Sequence, residues 1–249
     1  MHRLAYDSEN RATLGTLTNS NFPFCPATMT QITGEFFDRD ADYDQWDRTR
    51  PHRHQPAAIC FLTMRLNDSI PKPVILRWHR ERVQYIQRLG VSVDRDWKSG
   101  YEQLTAEQQA NFNKQFSRQR ETKLDECLGA CEFKEARARE RVSNVLEHFH
   151  GHRYWMGDYV IMPNHIHCLV AFLTNEIAKT QPGSWMRFSA NEINKLLERT
   201  GALWFPEPFD HLVRNDRQLE YLRGYIADNP KKGKLNSGMF TYRRSNGHF

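Results

Sequence analysis

Apolar and polar positions alternate in two distinct rhythms along the chain, and the rhythms predict most of its elements. Ala57 to Leu66 is an apolar, β-prone run, and Asn67-Asp68-Ser69 closes it as a turn. From Pro73 to Leu89, Val74, Trp78, Val83 and Ile86 recur near helical spacing, so this stretch is a predicted helix. Val91 to Leu146 is charged and helical, with a helix start at Thr105-Ala106-Glu107-Gln108 and Phe112 and Phe116 one turn apart. A long strand is predicted from Tyr159 to Phe172, followed by a break at Pro182-Gly183. Trp185 to Thr200 is a predicted helix, with Ile193, Leu196 and Leu197 inward and Gly201 as its stop. Trp204 to Phe209 reads as a stiff aromatic loop, with Trp204 and Phe205 wedged onto the core. Arg217 to Asp228 is a last predicted helix, halted at Asn229-Pro230.

Residues 1–54 show no clear period and are rich in Asp, Arg and His, which predicts a polar, at best partly ordered N-terminal extension. The pattern therefore divides the chain into that extension, a domain over 55–236 with a helical insertion at about 91–146, and a basic C-terminal tail over 237–249. No internal repeat is visible. Lys and Arg outnumber Asp and Glu by 35 to 30 in the 249 residues, which permits a polyanionic partner without demanding one. Cys25, Cys60, Cys127, Cys131 and Cys168 are odd in number and scattered, as expected for reduced thiols in a cytosol. There is no N-terminal apolar segment and no run of 18 apolar residues, so neither secretion nor membrane spanning is expected. The expected compartment is cytoplasmic, and nucleoid-associated if the source is bacterial.

Two short runs carry candidate chemistry. In Met162-Pro163-Asn164-His165-Ile166-His167-Cys168-Leu169-Val170, strand alternation puts His165 and His167 on one face and Ile166, Cys168 and Val170 on the other. Two imidazoles side by side on a strand make half a shell for a divalent ion. The plainer reading is two histidines on an ordinary strand. A histidine-triad nucleotide hydrolase would need a third histidine where Leu169 stands, and the paired motifs of two-histidine phosphoesterases are absent. In the second run, Tyr221 to Pro230, helical spacing lines up Tyr221, Tyr225 and Asn229. A phenol with a pKa near 10 is a poor nucleophile at neutral pH. A nearby metal would help it, and the amide oxygen of Asn229 suits a hard cation. Here too the plainer reading is packing residues followed by a helix stop.

Together the two runs resemble one family. Met162-Pro163-Asn164-His165-Ile166-His167 resembles the HUH motif (histidine, hydrophobic, histidine) of single-tyrosine transposases, in the branch called REP-associated tyrosine transposases. Tyr225-Ile226-x-x-Asn229-Pro230-x-Lys232 resembles that branch's tyrosine motif. Leu203-Trp204, Phe209-Asp210-His211, Arg214, Phe61 to Leu66, Leu124-Asp125-Glu126 and Phe149-x-Gly151-x-Arg153-Tyr154 resemble further conserved stretches, so the likeness covers roughly 56–236. The resemblance implies an α+β fold: a mainly antiparallel, ferredoxin-like sheet with flanking helices. It also implies Mg2+ or Mn2+ held by His165, His167 and Asn229. Tyr225 would attack single-stranded or hairpin DNA, leaving a 5′-phosphotyrosine and a free 3′-hydroxyl. The alternative is a non-catalytic, domesticated hairpin-binding protein of the same fold. Tyr221 is expected to be a packing residue, although a second tyrosine also marks two-tyrosine replication initiators.

Arg187, Arg214, Lys231, Lys232 and Lys234 are candidate phosphate contacts, with Lys195, Arg199 and Arg217 behind them. Cys127 and Cys131, with His148, His150 and His152 near in sequence, make a weaker zinc candidate, because no second knuckle pair follows. The helical insertion reads as a solvated accessory element that could grip a DNA hairpin. Oligomeric state, monomer or homodimer, is left open by the sequence.

Overall fold

The computed structural model describes residues 34–47, 51–94 and 96–245, all within one compact unit that spans Ile32–Phe249. Its elements run in the order β1 (Asp44–Asp47), β2 (Pro51–His54), β3 (Ile59–Arg65), α1 (Lys72–Arg88), α2 (Trp97–Glu102), α3 (Ala106–Asp125), α4 (Ala136–Glu147), β4 (Tyr154–Ile161), β5 (His165–Phe172), α5 (Asn175–Leu196), β6 (Phe209–Leu212), α6 (Asp216–Lys232) and β7 (Thr241–Arg243). Strands β6-β3-β5-β4-β7 form one sheet, and every neighbouring pair is antiparallel. Numbered among themselves, the first four strands stand in the order 4-1-3-2. This is the split β-α-β, ferredoxin-like arrangement and agrees with the α+β expectation.

The strand rhythm explains why β5 sits at the centre. All eight of its residues are buried, yet they go to different cores. Ile166, Cys168 and Val170 join Trp185 and Ile193 of α5 and Val142 and Leu146 of α4 on one face. Leu169 joins Phe61, Val160 and the α6 residues Leu219, Leu222 and Ile226 on the other. The histidines share that second face. Burying one leucine-sized side chain contributes roughly 1.5–3 kcal/mol, so a slip of one residue would cost several such burials and force both imidazoles into the apolar layer.

Several elements depart from the sequence-based expectation. The predicted strand Tyr159 to Phe172 is two strands, folded into a hairpin at Met162–Asn164. Pro182-Gly183 does not break the chain, because α5 runs through Pro182 with Ala178 and Trp185 buried on either side. Asn229-Pro230 does not halt α6, whose buried face includes both residues. In each case burial against the sheet outweighs one missing N–H. The end of the N-terminal extension is ordered too: β1 and β2 pair, and His52 is clamped between Asp210 (2.7 Å) and Glu207 (3.1 Å). Trp46 stacks on His52 and His54. The remainder of the extension, residues 1–33, lies outside the described residues. The C-terminal tail adds β7 to the sheet edge. Trp204 is in the core as expected, donating its indole N–H to Ser189. No helix among the described residues is long and apolar enough to cross a membrane.

Candidate active site

The site is assembled where three elements meet on the second sheet face: β5 with its histidines, α6 with Tyr225 and Asn229, and α3 with Glu121 and Asp125. Asn215 caps α6 by accepting from the Gln218 N–H, and Leu219, Leu222 and Ile226 seat the helix on the sheet. That seating turns Tyr225 toward the histidine face, with its ring centroid 5.2 Å from that of His167 and 5.9 Å from that of Phe61. Thr105 and Gln108 close a capping box at the start of α3. Twenty residues later the helix reaches the site.

Hydrogen bonds fix which way each polar group points. Asn164 donates through Nδ2 to the Leu128 carbonyl (3.1 Å), so its Oδ1 faces His165 Nδ1 at 2.7 Å and must accept from it. His165 is fully buried and burial lowers its pKa to about 4, so the ring is neutral with its proton on Nδ1. Its Nε2 is therefore a lone pair, and it faces Asn229 Oδ1 at 3.2 Å. Asn229 is itself oriented, because its Nδ2 donates to Asp125 Oδ1 at 3.2 Å. Two acceptors thus oppose each other with no proton between them. Beside them, His167 Nδ1 is 2.9 Å from Thr63 Oγ1, while its Nε2 is buried with no hydrogen-bond partner. Burial first, and then His165, lower the His167 pKa to about 3.

These observations decide whether a divalent cation fits. His165 Nε2 and Asn229 Oδ1 face each other at 3.2 Å, His167 Nε2 has no hydrogen-bond partner, and the Glu121 carboxylate lies 3.6 Å from His167 Nε2. An orphaned buried acceptor costs roughly 1–3 kcal/mol, and a cation among these atoms would remove that cost, so the residues fit the group. No three His, Cys, Asp or Glu side chains among the described residues form a metal cluster by themselves. The set depends on the amide of Asn229.

The anionic half of the site comes from α3. Tyr225 donates its hydroxyl to Glu121 Oε2 at 2.8 Å. Burial, followed by the charges of Glu121 and Asp125, pushes the Tyr225 phenol well above its ordinary value. Burial would also raise Glu121, but the Arg120 guanidinium and the hydrogen bond from Tyr225 outweigh it and hold the carboxyl below its ordinary value. Asp125 is raised to about 6 by burial and by Glu121. Arg120 pairs with Glu121 at 2.8 Å and lies over the Phe209 ring, and Lys232 Nζ stands 3.8 Å above the Tyr225 ring centroid.

The structure thus brings together His165, His167, Asn229, Tyr225 and Lys232. Lys231 pairs with Asp228 and points to solvent, and Lys234 and Arg214 are exposed beyond the ends of α6. Arg187 is not brought to the site: it stands exposed on α5, the helix that packs on the opposite sheet face. Tyr221 is no packing residue, because it is 68% exposed. Among the described residues no third His, Cys, Asp or Glu joins Cys127 and Cys131 in a metal-holding group, and the Cys131 thiol donates to the Cys127 carbonyl. Cys60, Cys127, Cys131 and Cys168 are free thiols, and Cys25 lies outside the described residues. Glu121 and Arg120 were not singled out from the sequence. The signal available was a carboxylate pair four residues apart, Glu121 and Asp125, on one face of α3.

Fold and site define a class: an α+β domain with a ferredoxin-like antiparallel sheet, whose central strand presents two neutral histidines to a helix-borne tyrosine and asparagine. No protein-family model matches the chain, and no curated protein matches it. Among solved structures, the chain is similar to that of the REP-associated tyrosine transposase bound to a REP hairpin. The identity is 13% and the TM-score 0.33, over 70% of this chain and 67% of that one. Numbers that low support no functional conclusion, so function is argued from the site.

Proposed function

We infer that the protein nicks single-stranded or hairpin DNA and transfers the strand through a covalent tyrosyl phosphodiester. The observation that carries this reading is one contact set: the Tyr225 hydroxyl donates to Glu121, which adjoins the unpartnered Nε2 of His167. A nucleophile, a proton acceptor and a cation-ready donor set lie within one cluster. Tyr225 Oη forms a bond to phosphorus as its proton passes to the Glu121 carboxylate. The bond from phosphorus to the 3′ oxygen breaks, and that oxygen leaves as a hydroxyl after taking up one proton. The 5′ side remains on Tyr225, so a 3′-hydroxyl can reverse the exchange and rejoin a strand. Arg120 and Lys232 supply positive charge for the phosphate oxygens. Mg2+ or Mn2+, held by His165, His167 and Asn229, would neutralise phosphate charge and favour the ionised phenol.

The test is incubation of labelled single-stranded hairpin DNA with Mn2+, comparing wild type with Tyr225→Phe on denaturing gels. A covalent adduct present in wild type and absent from Tyr225→Phe supports the reading. An adduct that survives in Tyr225→Phe refutes Tyr225 as nucleophile. Tight binding with no adduct under any metal supports instead a non-catalytic hairpin-binding protein.

A further inference from the structure

We propose that the surface shared by α3 and α6 is a track for single-stranded DNA, in which Tyr221 stacks a base beside the reacting phosphate and Arg118 and Lys114 hold neighbouring phosphates. This rests on the reading of Tyr225 as the nucleophile and adds the path by which the strand reaches it.

Two contacts set the registration of the helices. Tyr225 of α6 meets Glu121 of α3, and Asn229 meets Asp125. Both pairs advance by four residues in the same direction, so the helices run side by side in parallel, turn against turn. One turn back on α6 is Tyr221. One turn back on α3 is the turn that carries Arg118.

Tyr221 is the most exposed large apolar side chain among the described residues, at 68%, and its ring lies 6.5 Å from that of Tyr225 at 30° between planes. An aromatic face left open one turn from a nucleophile suits a base, because every base offers a π-face and an unpaired one can reach it. On α3, at 100° per residue, Lys114 and Arg118 fall within about 60° of Glu121 and Asp125, on the same side of the helix. Lys114 and Arg118 are exposed. Neither has a carboxylate partner among the described residues. At about 1.5 Å per residue they stand about 4.5 and 10.5 Å from Glu121 along the axis. Those distances place them beside the phosphates next to the reacting one. The same face of α3 is thus cationic where a strand would lie and anionic where the phenol must give up its proton.

The experiment is fluorescence anisotropy in a Tyr225→Phe background, which cannot form an adduct. The probe is a fluorescein-labelled oligothymidylate of about 12 nucleotides. Tyr221→Ala is expected to weaken binding by roughly 5- to 100-fold, while Tyr221→Trp retains it. Lys114→Ala with Arg118→Ala is expected to lower the slope of log affinity against log salt by about 1.4, from about 0.7 per single-strand phosphate. The inference is overturned if both variants bind like the Tyr225→Phe parent with an unchanged slope, or if that parent has no affinity for the oligonucleotide at low salt. It is also overturned if a blunt duplex binds as well and loses as much on Tyr221→Ala. The adduct assay keeps the two readings apart: a wild-type adduct with indifferent Tyr221 and Lys114/Arg118 variants sinks the track alone, whereas no adduct from wild type sinks the nucleophile.

Discussion

Replacing Asn229 by leucine tests the opposed acceptors at the centre of the site. In the metal-free protein the substitution removes the Asn229 Nδ2 bond to Asp125, a loss of about 1–3 kcal/mol for a bond to a charged acceptor. It also removes the oxygen that faces the His165 lone pair at 3.2 Å, which offsets part of that loss. Mn2+ acts on the native state alone, so at a concentration 100-fold above its Kd it adds about 2.7 kcal/mol to wild type. For a chain of this size each kcal/mol moves Tm by about 2–4 °C. Wild type should therefore gain roughly 5–11 °C on saturation with Mn2+ and lose it with a chelator. Asn229→Leu should keep a Tm within a few degrees of metal-free wild type and show a much smaller Mn2+ increment. The assay is differential scanning calorimetry across a Mn2+ titration. A wild-type Tm indifferent to millimolar Mn2+ and Mg2+, or an Asn229→Leu increment equal to that of wild type, would refute the cation-site argument whatever the activity.

Two further outcomes are expected. Thr63→Val removes the partner of His167 Nδ1 while keeping the side-chain shape, so the ring loses its fixed orientation and Mn2+ affinity should fall about 10- to 100-fold; unchanged affinity by calorimetric titration would show that Thr63 does not orient the ring. His54 is buried, and burial lowers its pKa to about 4. A folded pKa depressed below 6.5 makes the unfolded state bind the proton first, so stability falls as pH drops from about 6.5 to 4, by about 3 kcal/mol from this group. His54→Phe should flatten that acid limb in urea midpoints and leave the midpoint at pH 8 little changed; an identical acid limb would contradict the burial account.

What was legible in the sequence follows from what periodicity can report. A period of two put His165 and His167 on one face and Ile166, Cys168 and Val170 on the other, and the cores divide in that way. A spacing of four put Tyr225 and Asn229 together. Periodicity does not say which distant element lies across a face, so Glu121 and Asp125, 104 residues from their α6 partners, stayed within a helix that reads as solvated. The turn at Met162–Asn164 was hidden by the apolar runs on both sides, although Pro163-Asn164 is itself a turn signal. Pro182 and Pro230 looked like helix stops because local propensity cannot weigh the burial that carries each helix through. The His-rich segment before His54 looked unstructured because its histidines become core residues only once Trp46, Asp210 and Glu207 are in place.

The charges around Tyr225 bear on what a cation would do at the proposed site. Glu121 and Asp125 both raise the phenol, and Asp125 is itself raised by burial and by Glu121. Arg120 is engaged with Glu121, and Lys232 stands over the tyrosine ring. Two cations and two carboxylates nearly cancel, and the histidines are held neutral by burial. A phosphodiester brings a further negative charge into this balanced cluster, where the lower dielectric makes each charge count for more than in water. The chain's net charge of +5 is spread over the whole sequence and does not change that local balance. Two positive charges placed among His165, His167 and Asn229 would reverse the local sign, admit the phosphate and lower the phenol. The same carboxylates that keep Tyr225 protonated without substrate would then take its proton. On the proposed reading, a site so arranged is inert until metal and strand are both present.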